Sequence, residues 1–329
     1  MKKPLLFLCL SLFAAASFGA DKPASPAAKT DAAPAKKATP PQTPPTLANV
    51  AYGAHVRHVL DFWRAKSAKP APVVFHIHGG GWVNGDKAVV AKLDDYLAAG
   101  ISVVSINYRF VTQAIDAGVK PPVQWPLEDA ARALQFVRTK AREWNIDKVR
   151  IGATGGSAGA CSSLYLAFHA DMADPRSQDP VARESTRLFC AAVSGAQTSL
   201  DPKQLIEWTP NSRYGGHAFG LMPDTKNLRT RDTQFAQFLA AREQLLPWIK
   251  LYSPWEHATR DDPPIYMIYT STPALGQPAK DPTHTANYGV KLQDHLRTLG
   301  VECELVYPGA PDVKHPQVSD YLIARLKRR

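Results

Sequence analysis

The feature that most constrains the fold is a short glycine- and serine-rich turn that separates an apolar strand from a helix. Val149 and Ile151 begin the predicted strand, and Leu164 and Phe168 are spaced as on one face of a helix. Between them, segment 155–159 reads Gly-Gly-Ser-Ala-Gly and fits the pattern G-x-S-x-G. So sharp a reversal strains the backbone at the central serine, and only small residues two positions before and after it avoid a clash. The turn therefore predicts a serine hydroxyl presented above a sheet, beside helical amides that favour developing negative charge.

A second glycine-rich motif favours a catalytic role for this serine over the alternative, a phosphate-binding or simply tight glycine turn. The apolar segment 72–78 predicts a buried strand, and the sequence His-Gly-Gly-Gly-Trp at 78–82 ends it. With both motifs in this order, each at the end of a predicted strand, the chain resembles the α/β-hydrolases. The likeness is to esterases similar to hormone-sensitive lipase and to the bacterial feruloyl and acetyl esterases (the BD-FAE-like group). It extends from about residue 47 to the C-terminus.

The resemblance implies a fold and part of an active site. The expected fold is α/β, with a mostly parallel central sheet, helices on both faces and an inserted cap segment. Ser157 is the expected nucleophile, and the amides of Gly80, Gly81 and Ala158 are the expected donors to the oxyanion. This mechanism requires no cofactor, and the sequence shows no metal-binding motif, so we expect neither a cofactor nor a metal.

The acid of the triad is expected after the strand that ends at Tyr269, because the order in this fold is serine, acid, histidine. Family members usually carry a Gly-Asp turn there, whereas this chain reads Thr-Ser-Thr-Pro at 270–273. The first acid downstream is Asp281, which we predict to be the triad acid on an elongated loop. Asp312 is an alternative, Asp262 precedes the strand at the wrong end of the sheet, and Asp281 could instead serve only as a helix cap.

The base is expected after the strand that ends at Tyr307. His315 is the histidine found there, and we predict that it is the triad base. Family members often have Gly or Phe after this histidine, whereas Pro316 follows it here. The rival is His284, three residues beyond Asp281, which otherwise reads as an exposed residue in the first turn of a helix.

Apolar strands that alternate with amphipathic helices support the mostly parallel sheet. Alternating apolar residues at 49–63 predict antiparallel edge strands ahead of it. The aromatic-rich segment 199–258 interrupts the alternation and predicts a cap whose aromatic side chains form its own core. Further strands are predicted at 101–108, 188–194, 264–269 and 301–307, helices at 87–99, 127–144, 287–299 and 317–327, and a proline-containing loop at 110–125.

The N-terminus predicts export. Two lysines and an apolar run precede small residues that a signal peptidase reads, so residues 1–19 are predicted to be a cleaved signal peptide rather than a membrane span. Residues 20–46 are rich in Ala, Pro and Lys and are predicted to be a disordered linker. The hydrolase domain is then expected at 47–329, in a protein that is periplasmic or extracellular.

The charge pattern gives no support for a nucleic-acid partner, and the cysteine content predicts free thiols. The formal net charge is +10, but no helix with one basic face and no nucleic-acid module accompanies it, so we expect a solvated basic surface and no nucleic-acid partner. Removal of the signal peptide leaves Cys161, Cys190 and Cys303, which lie in predicted core elements. Buried free thiols are the expectation, with a disulfide still open in an exported protein.

Together these features predict an exported serine carboxylesterase that uses a Ser-His-Asp acyl-enzyme mechanism. Its expected substrates are short acyl or aryl esters, as small molecules or as acetyl and feruloyl groups on polysaccharides. Two alternatives stay open at this point. One is a catalytically silent binding protein on the hydrolase scaffold, which the departures around the acid would fit. The other is a peptidase of the same fold.

Overall fold

Eight strands form one sheet in the computed structural model, which describes residues 42–328. The strands are β1 (Leu47–Ala51), β2 (Val59–Trp63), β3 (Ala71–Ile77), β4 (Ser102–Ile106), β5 (Ile146–Gly156), β6 (Cys190–Ser194), β7 (Ile265–Ile268) and β8 (Cys303–Val306). Their spatial order is β1-β2-β4-β3-β5-β6-β7-β8. β2 pairs antiparallel with β1 and β4, and every other pairing is parallel, which confirms the predicted mostly parallel sheet.

Helices cover both faces of the sheet and give the two hydrophobic layers of the core. α3 and α5 lie on one face, and α1 and α11 on the other. No helix within residues 42–328 is long and apolar enough to cross a bilayer. The helices are α1 (Leu93–Ala98), α2 (Val111–Asp116), α3 (Gln124–Thr139), α4 (Ala141–Trp144), α5 (Ala158–Phe168), α6 (Pro202–Trp208), α7 (Phe235–Ala240), α8 (Arg242–Tyr252), α9 (Pro254–His257), α10 (Asn287–Leu299) and α11 (Val318–Lys327).

Three helix predictions differ from the structure. The segment at 110–125, predicted to be a loop, contains α2, and the helix predicted at 127–144 is divided into α3 and α4. The helix predicted at 87–99 is reduced to α1 because its first residues are tied to the sheet. Lys87 is buried with its Nζ 2.8 Å from Asp61 Oδ2, and its amide donates to Asn107 Oδ1.

Residues 199–258, predicted to be an inserted cap and called the cap insertion below, lie between β6 and β7. The cap insertion contains α6 to α9 and two short 3-10 turns, Gly216–Phe219 and Leu228–Thr230. The aromatic side chains predicted to form its core are mostly buried, since five of them belong to the main hydrophobic cluster: Trp208, Tyr214, Phe219, Phe235 and Phe238.

The N-terminal boundary differs from the prediction by a few residues. The predicted signal peptide and residues 20–41 lie outside the described residues. Residues 42–46 were expected to belong to the disordered linker, but they pack on the domain. Thr43 Oγ1 donates to Asp94 Oδ1 at 2.5 Å, and Trp63 Nε1 donates to the Thr43 carbonyl at 2.8 Å.

The three predicted domain cysteines are free thiols. Cys161 and Cys190 are buried and Cys303 is half-buried. This confirms the expectation of unpaired thiols.

Candidate active site

The nucleophile turn lies between β5 and α5 with the strained backbone that its sequence predicts. Ser157 has φ 54° and ψ −122°, a conformation that non-glycine residues rarely adopt. A Cβ on Gly155 would lie 2.4 Å from the Ile77 carbonyl oxygen, and one on Gly159 would lie 2.0 Å from the same atom. Glycine is therefore required at both positions because the turn packs directly against the end of β3.

A histidine and a carboxylate line up on the Ser157 hydroxyl. His284 Nε2 lies 2.9 Å from Ser157 Oγ, and His284 Nδ1 lies 2.8 Å from Asp281 Oδ2. Both residues belong to the segment between β7 and α10, which we call the acid–base loop (residues 269–286). The loop folds inward over the carboxyl end of the sheet, so the structure brings Asp281 to Ser157 through His284.

Asp281 is held in its charged form by the loop that carries it. Its Oδ1 accepts hydrogen bonds from the amides of Thr283 at 3.2 Å and His284 at 3.3 Å. Partial burial opposes ionisation, but the hydrogen bonds from the His284 ring and from these amides outweigh it and lower the pKa of the carboxyl group. A carboxylate therefore faces the imidazole at neutral pH. The predicted helix cap is not its role, because α10 begins only at Asn287.

The structure does not place His315, the predicted base, beside Ser157. His315 Nδ1 lies 2.7 Å from Glu304 Oε2, and its amide donates to Glu304 Oε1 at 2.8 Å. The cavity that His315 lines shares no residue with the cleft around Ser157. The physical reason is that β8 is an edge strand, and Glu304 on that strand holds the following segment at the outside of the sheet.

The other two candidate acids do not take part in a triad. Asp262 precedes β7 and accepts a hydrogen bond from the Thr259 amide at 2.6 Å, and burial raises the pKa of its carboxyl group to about 6. Asp312 is exposed, in a turn after β8. Within residues 42–328 neither carboxylate hydrogen-bonds to a histidine.

Two asparagines that sequence reasoning missed hold the acid–base loop against the cap insertion. Asn287 Nδ2 donates to the Trp208 carbonyl at 2.8 Å and to the Ala274 carbonyl at 3.1 Å, and its Oδ1 accepts from the Ala274 amide. Asn211 exchanges two hydrogen bonds with the Ala279 backbone. The sequence carries no signal for these roles, because the partners of both asparagines are distant along the chain, 79 residues for Asn287 and Trp208 and 68 for Asn211 and Ala279.

The glycine loop at 79–81 presents free amides beside the nucleophile. The amides of Gly80, Gly81 and Ala158 make no hydrogen bond within residues 42–328. A Cβ on Gly79 would lie 3.6 Å from Ser157 Cβ, which shows how close the loop approaches. The three predicted oxyanion donors are thus available for a ligand.

The orientation of these amides is fixed through the carbonyl groups of their own peptide planes. In a trans peptide the N–H points opposite to the C=O, so a donor that holds the carbonyl also aims the amide. The Gly79 carbonyl, in the plane of the Gly80 amide, accepts from His78 Nδ1 at 2.8 Å, and the Tyr108 hydroxyl, which shares its one proton with the nearer His78 carbonyl, lies 3.2 Å away. The Gly80 carbonyl, in the plane of the Gly81 amide, accepts from the amides of Val83 and Asn84.

His78 supports the loop as a neutral ring. Burial lowers its pKa to about 4, so at neutral pH it carries one N–H, and the hydrogen bond to the Gly79 carbonyl places that proton on Nδ1. Nε2 is then an acceptor and faces Arg57 Nη2 at 3.4 Å. His78 therefore positions the loop, as expected of a structural rather than catalytic residue.

We expect Tyr108→Phe to weaken the loop without removing its ring stacking on His78, whose centroid lies 4.2 Å away. The buried hydroxyl donates to the His78 carbonyl at 2.8 Å, so its loss should lower the free energy of unfolding by about 1–2 kcal/mol. We expect kcat to fall by no more than a few-fold, because His78 Nδ1 still donates to the Gly79 carbonyl and keeps the Gly80 amide in place. Chemical denaturation and steady-state kinetics measure the two effects. An unchanged free energy of unfolding would contradict this role.

The cleft around Ser157 and His284 has a volume of about 530 Å³. It is lined largely by backbone and small side chains of the strand ends, including Gly156, Ser194 and Gly195. Among residues 42–328, no group of three or more His, Cys, Asp or Glu side chains is arranged to hold a metal ion.

A model of the BD-FAE family matches residues 60–275. The chain belongs to the BD-FAE family. The matched range of this BD-FAE protein includes the glycine loop and Ser157, and it ends before Asp281 and His284. The family match supports an α/β-hydrolase of the esterase type, and the placement of Asp281 and His284 beside Ser157 comes from the structure.

Known relatives of this BD-FAE protein are esterases. It is 27% identical to Esterase LipC of Mycobacterium tuberculosis over 231 residues, which cover 68% of this chain and 50% of LipC. The chain thus spans about half the length of that relative. A carbohydrate esterase from gut microbiota shares the fold with a TM-score of 0.62 at 19% identity, covering 86% of this chain and 96% of that one. An acetyl ester-xyloside bifunctional hydrolase from Caldicellulosiruptor lactoaceticus gives a TM-score of 0.54 at 24% identity, covering 76% of each chain.

Proposed function

We propose that this BD-FAE protein is a carboxylic ester hydrolase in which Ser157, His284 and Asp281 form the triad. The observation that carries the proposal is the hydrogen-bond chain from Ser157 Oγ through both nitrogens of His284 to Asp281 Oδ2. A strained serine at a strand–helix turn, with free amides beside it, is the arrangement that acyl transfer needs.

The reaction follows from these positions. His284 Nε2 takes the proton of Ser157 as its Oγ attacks the ester carbonyl, and the amides of Gly80, Gly81 and Ala158 donate to the oxyanion. The protonated His284 then gives its proton to the leaving alcohol, and an acyl-serine remains. Water, deprotonated by His284, releases the acid and restores the hydroxyl. Asp281 holds the imidazole in the required tautomer and stabilises its charge.

We propose short acyl or aryl esters as substrates, including acetyl or feruloyl groups on polysaccharides, in a protein exported to the periplasm or beyond. The open cleft at Ser157, bordered by the ends of three strands, supports an ester substrate at this serine. The two structural relatives, a carbohydrate esterase and an acetyl ester-xyloside bifunctional hydrolase, support the polysaccharide proposal. The predicted signal peptide at 1–19 supports export. A silent binding protein loses its main support, because the elongated loop supplies both an acid and a base.

The test is an ester panel on the purified protein. We expect turnover of 4-nitrophenyl acetate and butyrate at roughly 1–10³ s⁻¹, falling towards the decanoate, with acetylated xylan and methyl ferulate assayed in parallel. Released 4-nitrophenol, acetate and ferulate are the measured products. A folded protein that hydrolyses none of these esters would overturn the proposal.

A further inference from the structure

Arg231, in the cap insertion, reaches the glycine loop that carries the free amides. Its Nη1 would lie only 2.3 Å from a Cβ placed on Gly81, so any larger side chain there would displace the guanidinium. The guanidinium also lies over the ring of Tyr214, 5.2 Å from its centroid. Arg231 is thus a charged group brought by the insertion to the edge of the proposed oxyanion site.

The orientation of the guanidinium is fixed from behind. Arg231 Nε and Nη2 donate to Asp232 Oδ2 at 2.9 and 2.5 Å. Behind this pair, Asp232 Oδ1 lies 3.5 Å from Nδ1 of the fully buried His217. His217 Nε2 lies 3.0 Å from the Gly81 carbonyl oxygen. Asp232 therefore fixes the guanidinium, and His217 packs between Asp232 and the Gly81 carbonyl.

The anchoring leaves donors unused. A guanidinium has five N–H groups, and Asp232 takes two of them. Nη1, the nitrogen nearest Gly81, makes no hydrogen bond within residues 42–328. About a quarter of the Arg231 side chain, 27%, is exposed, so these donors are open to a ligand.

The donors lie within reach of the reacting ester. The distance from Arg231 Nη1 to an oxyanion that accepts a hydrogen bond from the Gly81 amide is no more than about 8 Å, the sum of the intervening atom-to-atom distances. The leaving alcohol must face His284, which protonates it. The glycine loop follows β3 and the acid–base loop follows β7, so Arg231 and His284 approach Ser157, at the end of β5, from opposite sides of that strand. The Arg231 side therefore corresponds to the acyl part of the substrate.

We propose that Arg231 binds a carboxylate on the acyl part of the substrate. Hemiesters of short dicarboxylic acids are then preferred over neutral esters of the same shape. The proposal rests on the proposed esterase function. A carboxylate two carbons from the scissile carbonyl spans the gap to Nη1, and the planar guanidinium offers it paired donors. The hydrogen bond to Nη1 adds to transition-state binding only for substrates that carry the charge.

The test compares monomethyl succinate with methyl levulinate, which replaces the carboxylate by a methyl ketone of similar size. We expect wild-type kcat/KM to favour the hemiester, and Arg231→Gln to reduce that preference about 10- to 100-fold while methyl levulinate changes less than threefold. Methanol release at constant pH and ionic strength is the readout. Arg229→Gln is the matched control, because it removes the same charge from an exposed cap position and should leave the preference intact.

A second variant, Arg231→Lys, covers the case in which the glutamine variant misfolds. Lysine keeps the charge without the paired donors and should retain part of the preference. Equal turnover of both esters by the wild type would overturn the role of Arg231 while leaving the esterase function standing. So would a loss of preference in Arg229→Gln, or a gain of longer neutral acyl chains in Arg231→Gln, which would mark a size filter. Failure of the wild type on both esters, and on the nitrophenyl panel, would overturn the function itself.

Discussion

Ser157→Ala is expected to lower kcat for 4-nitrophenyl acetate by roughly 10⁴–10⁶-fold while the protein stays folded. The hydroxyl makes one side-chain hydrogen bond, to His284 Nε2, and the strained turn is maintained by glycines that the substitution does not touch. Its removal therefore takes away the attacking atom with little cost in packing. Steady-state kinetics measure kcat, and a thermal melt shows whether the variant stays folded.

A fluorophosphonate should label Ser157 in the wild type and fail to label the alanine variant. Ser271→Ala is a suitable control, because Ser271 is exposed on the acid–base loop and should keep wild-type activity and labelling. Retention of wild-type turnover by Ser157→Ala would remove the serine esterase mechanism altogether.

The second large effect separates the two histidines. His284→Ala should lower kcat by roughly 10⁴–10⁶-fold and abolish fluorophosphonate labelling, because Ser157 loses the group that takes its proton. His315→Ala should leave kcat within about twofold of the wild type. It should instead lower the free energy of unfolding by about 1–2 kcal/mol, since the His315 ring hydrogen-bonds to Glu304 at the edge of the sheet and packs on Tyr321.

Kinetics, labelling and chemical denaturation of both variants, measured side by side, decide the assignment. The opposite pattern, with His315→Ala inactive and His284→Ala active, would show that the loop after β8 swings over the nucleophile in the working protein. The hydrogen bond between His284 and Ser157 would then belong to a resting arrangement only.

The fold was predictable because its determinants are local. Apolar runs such as 72–78 are buried on both faces of a parallel sheet and read as strands without knowledge of their neighbours. The glycines around Ser157 are recognisable in the sequence because the turn has no room for larger side chains at those positions. The ends of helices were harder, because features such as the buried Lys87–Asp61 pair, which shortens α1, join residues 26 positions apart.

The base could not be predicted for the same reason. Both His284 and His315 follow strands that end on the correct side of the sheet, and the sequence does not show which segment folds inward. Glu304 draws His315 outward, while Asn287 and Asn211 draw the acid–base loop inward, and each of these contacts depends on tertiary structure. The spacing Asp281-x-x-His284 was the one local signal, and it also fits an ordinary helix start.

Because Asp281 and His284 occupy one short peptide, their mutual geometry is inherited from local backbone conformation rather than assembled from remote parts. The Asp281 carboxylate accepts from the amide and from the ring of His284 alike, so the same turn that places the acid also orients the base. The one distance in the triad that depends on tertiary structure is the one from His284 Nε2 to Ser157 Oγ. A change elsewhere in the acid–base loop should therefore affect that distance before it affects the pair of acid and base.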